Sequence, residues 1–122
     1  MHVLLVEDTV TDALLLQDAF ERYAPDTICT HVRDLTDAVH VLRDGTSVFD
    51  MAIVDLGLPD SVGTDVITAI RQYVPTLPLV VLTGADSFQA ASLQGGAQAY
   101  FVKTTIDDQH FIEELFRLRN AA

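Results

Sequence analysis

Apolar positions along this chain follow two alternating rhythms. Short unbroken runs have the length and the aliphatic or β-branched make-up of strands: "HVLLV" (His2–Val6), "TICTHV" (Thr27–Val32), "FDMAIV" (Phe49–Val54), "LPLVVL" (Leu77–Leu82) and "AYFV" (Ala99–Val102). Between them, apolar residues recur every three or four positions. Ala13, Leu16, Phe20 and Tyr23 form one such set; Leu35, Ala38, Val39 and Leu42 a second; Val66, Ile67, Ile70 and Tyr73 a third; Phe111, Leu115 and Leu118 the last. That is the period of a helix with one buried face. A weaker helix is predicted from Ser87 to Leu93, ahead of Gly95 and Gly96. The punctuation agrees: Pro25 ends the first helix, Asp34 can cap the second, Gly45 can end it, and Pro75 follows the third.

Five strand–helix units in strict alternation predict an α/β fold. Strands that are apolar throughout are covered on both faces, which implies a parallel sheet between helix layers. Right-handed crossovers then favour a doubly wound, flavodoxin-like (β/α)5 arrangement: a five-stranded parallel sheet in the order 2-1-3-4-5, with its crevice at the carboxyl ends of the strands. The length of 122 residues fits one domain over residues 1–122, with no repeat, low-complexity segment or linker.

The residues after each strand change the picture from fold to chemistry. The first strand delivers Glu7 and Asp8, the third Asp55, the fourth Thr83 and the fifth Lys103. In a parallel sheet these ends share one edge. Singly each is ordinary: acids are common in loops, threonine before glycine suits a turn, and a lysine can snorkel. Their coincidence at four strand ends carries the argument, and Lys103 is the only lysine in the chain. Two carboxylates about 4 Å apart repel by about 4 kcal/mol at an effective dielectric near 20. Lys103 offsets part of this, and a divalent cation offsets more; carboxylate, carbonyl and water oxygens suit Mg2+. With an electrophilic phosphoryl group held there, Asp55 can act as nucleophile, and Thr83 and Lys103 can donate to phosphoryl oxygens.

Charge narrows the partners. Acidic residues outnumber basic ones 18 to 7, for a net charge of −11. That balance argues against a nucleic-acid surface and against an anionic membrane. No apolar run reaches bilayer length and no signal peptide is evident, so a cytoplasmic setting is expected. Cys29 has no disulfide partner and reads as a small core or strand residue. His2, His31, His40 and His110 lack ligand spacing, so no zinc site is expected.

The segments "LLVEDTVTDALLL", "DMAIVDLGLPDSVG", "LVVLTGAD" and "GAQAYFVK" together make the chain resemble the receiver domains of two-component response regulators, of the chemotaxis-receiver type, over essentially its whole length. The resemblance implies that Glu7 and Asp8 are the acidic pair for Mg2+, that Asp55 is the phospho-acceptor, and that the Gly57 carbonyl is a further metal ligand. It makes Thr83 the switch hydroxyl and Lys103 the phosphate-contacting lysine. Tyr100 matches the aromatic switch position, although a half-buried strand tyrosine is the plainer reading. The implied function is a phosphorylation-controlled switch. Its donor is a sensor histidine kinase or phosphotransfer protein, and its output runs to a domain or protein through the face of helix four, strand five and helix five. On phosphorylation Thr83 would move toward the new group and Tyr100 would turn inward.

There are departures and alternatives. Many receivers carry a cis proline after the lysine; here Thr104 follows, which predicts a trans bond or a strained loop. The fourth helix, in "DSFQAASLQGG", is short and built of small residues, which would make the output face mobile. A magnesium-dependent phosphohydrolase is the enzyme alternative. Such enzymes usually need an acid two residues after the nucleophile, where this chain has Gly57, and a cap over the site. A docking pseudo-receiver is the third reading, and the complete set of acids and lysine argues against it.

Overall fold

The computed structural model describes residues 1–84, 87–104 and 107–121. In chain order the elements are β1 (His2–Val6), α1 (Val10–Tyr23), β2 (Ile28–Val32), α2 (Leu35–Asp44), β3 (Met51–Val54), α3 (Asp65–Tyr73), β4 (Leu79–Thr83), α4 (Gln89–Gln94), β5 (Ala99–Val102) and α5 (Asp108–Ala121). The strands form one parallel sheet in the predicted order, β2-β1-β3-β4-β5.

Alternation along the central strands divides the core into two layers. Leu4, Val6, Ala52, Val54, Leu79 and Val81 pack with Ala38 of α2 and with Val66, Ile67 and Ile70 of α3. Val3, Leu5, Met51, Ile53 and Val80 face the other way, onto Ala13, Leu16 and Phe20 of α1 and Phe111 and Leu115 of α5. Phe101 joins this second layer edge-on to Phe111, with ring centroids 5.1 Å apart. Its neighbour Tyr100 packs on the first layer.

Several boundaries differ from the predicted ones for local reasons. β3 starts at Met51, because Asp50 and Phe49 are used to fasten the start of β1. The Asp50 carboxylate accepts from the His2 N–H at 2.7 Å, the Asp50 N–H donates to the His2 carbonyl at 2.8 Å, and the Phe49 ring lies 4.5 Å from the His2 ring. β4 starts at Leu79, one residue past Pro78, which has no N–H for the ladder, and it extends to include Thr83. Tyr23 closes α1 40% exposed instead of sharing its buried face. In α4 the buried residue is Ser92, while Leu93 is exposed.

The caps behave as the sequence predicts. Asp34 accepts the Asp37 N–H at 2.8 Å, and Gly45, at φ 69°, closes α2 in the left-handed conformation. The Lys103–Thr104 peptide is trans. Cys29 sits half-buried in β2, and burial pushes its thiol pKa up.

Polar contacts pin one loop at the crevice and others at the opposite edge of the sheet, where β4 and β5 begin. Asp60, in the loop after β3, accepts from the Leu35 and Thr36 N–H groups at 2.9 Å each and from the Thr36 hydroxyl at 2.8 Å. This satisfies otherwise unpaired donors at the start of α2 and ties the loop that follows Asp55 to that helix. Arg71 on α3 donates to the Gly96 carbonyl at 3.1 and 2.6 Å and to the Val74 carbonyl at 3.1 Å. Gly96, at φ +112°, is needed there, since a Cβ would lie 3.1 Å from Arg71 Nε.

Candidate functional site

Register brings the predicted residues to one edge. Val6 pairs with Val32 and Val54, Val54 with Val81, and Thr83 with Val102. The ladder continues one step beyond the strands: the Glu7 N–H donates to the Val32 carbonyl at 3.0 Å, that of Asp55 to Val6 at 2.9 Å, and that of Lys103 to Thr83 at 2.8 Å. Backbone hydrogen bonds of the sheet itself therefore fix where these side chains start, which favours a rigid site.

Asp55 is the hub, only 8% exposed. Its Oδ1 accepts from the Thr83 hydroxyl at 2.8 Å and from the Gly57 N–H at 3.1 Å. Its Oδ2 accepts from Lys103 Nζ at 2.9 Å. The same ammonium donates to Glu7 Oε1 at 2.6 Å and to Asp12 Oδ2 at 2.8 Å. Glu7, Asp8 and Asp55 each offer a carboxylate oxygen, all within 4.8 Å of one another, a donor set that fits a hard, oxygen-seeking cation. His31 Nε2 lies 2.7 Å from the Glu7 carbonyl oxygen, joining the ends of β2 and β1.

Burial and neighbours separate the two buried acids. Desolvation, followed by the hydrogen bond to Asp55, pushes the Glu7 carboxyl up to about 7, against the pull of Lys103. Desolvation also acts to raise Asp55. There the hydrogen bonds from Glu7, Lys103, the Gly57 N–H and Thr83 outweigh it and hold the carboxyl below its ordinary value. Burial acts to lower Lys103, but Asp12, Glu7 and Asp55 outweigh it and keep the ammonium charged well above its ordinary range. The result is an ionised carboxylate at Asp55, flanked by a fixed cation and a hydroxyl donor. Such a group can attack an electrophile whose negative charge those donors then receive.

The structure joins Glu7, Asp8, Asp55, Thr83 and Lys103 in one site. Gly57 enters through its N–H. Tyr100 lies half-buried on β5, opposite Val81 in the ladder and packed on the first core layer. In the unmodified protein the Thr83 hydroxyl donates to the Asp55 carboxylate. Asp12 was not foreseen in the sequence. It lies in the first turn of α1, four residues after Asp8, and a polar position there reads as solvated helix surface. The signal that could have found it is its closeness in sequence to a strand end already rich in acids.

Among the described residues, no helix is long and apolar enough to cross a membrane. The model of the response regulator receiver domain family matches residues 3–116. The transcriptional regulatory protein BasR of Escherichia coli K12 is 36% identical over 129 residues, covering 98% of this chain and 54% of its own length. The chain thus spans about half the length of that relative. A CheY-like receiver domain protein from Methanospirillum hungatei JF-1 shares the fold with a TM-score of 0.85 at 20% identity, over 98% of this chain and 94% of that one. The receiver domain of a sensor histidine kinase from Pseudomonas aeruginosa PAO1 does so with a TM-score of 0.82 at 22% identity, over 98% and 97%; its structure has a magnesium ion coordinated in the active-site cleft.

Proposed function

The chain belongs to the response regulator receiver domain family, and we propose that it works as a phosphorylation-controlled switch with Asp55 as the phospho-acceptor. The observation that carries this is the seating of the ionised Asp55 carboxylate between Lys103 Nζ at 2.9 Å and Thr83 Oγ1 at 2.8 Å, beside the acids Glu7 and Asp8.

The donor in this reading is the phosphohistidine of a sensor histidine kinase or of a phosphotransfer protein. An Asp55 oxygen forms the new O–P bond as the donor's N–P bond breaks, and the imidazole leaves with that electron pair. Glu7, Asp8, Asp55 and the carbonyl of Gly57 would hold Mg2+, which when bound neutralises charge on the phosphoryl oxygens. Lys103 trades its bond to Asp55 for one to a phosphoryl oxygen. Thr83 makes the same exchange from the other side. The switching event is this change of acceptor, which draws the Thr83 hydroxyl toward the new group, and Tyr100, on the strand next to Thr83, carries the change to the face of α4, β5 and α5. An output domain or protein would read that face.

Turnover of a phosphate ester is not part of this role. The position two residues after Asp55 is Gly57, which contributes an N–H to the carboxylate and no acid. The acidic surface, at a net charge of −11, suits protein partners better than nucleic acid or a membrane, and we place the domain in the cytoplasm with its donor. The test is transfer from radiolabelled histidine kinases of the host. One kinase is expected to pass label to the chain within a short incubation. Failure of every kinase to do so, in chain that remains folded, contradicts the reading.

A further inference from the structure

An ammonium has three N–H donors, and Lys103 gives all of them to carboxylates: Glu7 at 2.6 Å, Asp12 at 2.8 Å and Asp55 at 2.9 Å. Two of these partners are drawn away by the reaction proposed above, on which this inference rests. Asp55 becomes the phosphoryl acceptor. Glu7 belongs with Asp8 and Asp55 to the cluster that would hold the cation. Asp12 belongs to neither. It stands on a different element, the first turn of α1, with its side chain 36% exposed.

The Lys103 side chain is itself largely covered, 20% exposed. Its flexible four-carbon stem borders a cavity of about 290 Å³ between α1 and α5, whose lining includes Leu16, Leu82, Phe111 and Asp12. Glu7 and Asp55 line the same cavity, so a lysine that lost both would keep Asp12 alone of its three carboxylate partners.

We propose that Asp12 is a positioning residue for phosphoryl transfer. It anchors the Lys103 ammonium at the site while the other two bonds are exchanged, so that an N–H turns onto the phosphoryl oxygen without the side chain leaving. Pre-placed charge of this kind acts by removing the need to reorganise during the reaction. The Asp12 charge also repels an incoming phosphoryl group. The proposal requires that anchoring outweigh this repulsion.

The test is the rate at which the full chain is phosphorylated by acetyl phosphate with Mg2+, followed by intact mass. Wild type must first label at Asp55; a failure there counts against the proposed function and leaves Asp12 out of account. Given that labelling, Asp12→Ala should be slower by about three- to tenfold, the range for one charge-assisted hydrogen bond at a partly exposed carboxylate. Asp12→Asn keeps an acceptor oxygen and should stay within about twofold of wild type. In a Lys103→Met background, Asp12→Ala should cause no further loss, since coupled residues are not additive. A defect of folding would persist in that background. The proposal is overturned if Asp12→Ala labels as fast as wild type or faster, if Asp12→Asn is as slow as Asp12→Ala, or if the loss is as large without Lys103.

Discussion

Lys103 Nζ reaches Asp55 Oδ2 at 2.9 Å across an intervening strand. β4 lies between the strands that carry the two residues, and its last residue, Thr83, takes the other oxygen of the same carboxylate at 2.8 Å. Three neighbouring strand ends thus converge on one carboxylate, and the arrangement has consequences for stability as well as for chemistry.

Removing the lysine should leave buried acids without their cation. The side chains of Glu7 and Asp55 are 5% and 10% exposed, so solvent cannot replace it well. Lys103→Met should therefore lower stability by about 2–4 kcal/mol at pH 7 in the absence of divalent cations. At pH 4, where Glu7 carries its proton, the loss should shrink. Urea denaturation at both pH values checks this; an equal loss at each would mean that packing of the stem matters and the charge does not.

Glu7 sets a pH window. Its folded pKa, about 7, lies above its ordinary value of 4.5, so the folded state holds the proton more tightly than the unfolded state. The stability this contributes is complete below about pH 4.5 and is lost as pH rises through about 7. Asp55, whose pKa is lowered, acts in the opposite sense and only at more acidic pH. In EDTA, wild type should lose about 2–3 kcal/mol relative to Glu7→Gln between pH 5 and pH 8. A difference between the two proteins that does not change with pH contradicts this account of Glu7.

Cation binding should relieve the same repulsion. At one hundred times Kd, Mg2+ should raise stability by about 2.7 kcal/mol. Asp8→Ala should abolish most of the Mg2+-dependent rise in Tm. Because Glu7 must give up its proton to serve a cation, the rise should be larger at pH 8 than at pH 6. A full rise in Asp8→Ala would place the cation elsewhere.

Thr83→Ala separates acceptance from response. The variant should still be phosphorylated at Asp55, because Lys103 and the acids remain. It should lose much of the change in hydrogen exchange over residues 87–103 that beryllofluoride with Mg2+ produces in wild type. Wild type and variant responding alike would break the proposed link from Thr83 to Tyr100.

The sequence makes the sheet legible because β1 and β5 are apolar runs bounded by polar residues, and their predicted limits match to the residue. The site is legible for the same reason, since parallel strands place Glu7, Asp55, Thr83 and Lys103 on one edge. What could not be read depends on tertiary partners. Phe49 has a strand-former's side chain but packs on His2, so β3 starts later than its composition suggests. Helix period alone cannot tell that Ser92 is buried and Leu93 exposed, because α4 is too short to define a face. Asp12 shows no periodicity that marks it, and its role appears only when Lys103, 91 residues away in sequence, arrives beside it.

The central claim is that Asp55 accepts the phosphoryl group. The direct measurement is intact mass and peptide mapping after incubation with acetyl phosphate and Mg2+, in wild type and in Asp55→Asn. One phosphoryl group is expected on wild type, on the peptide that contains Asp55, and none on the variant. Equal labelling of Asp55→Asn, or label on a different peptide of the wild type, would contradict the claim.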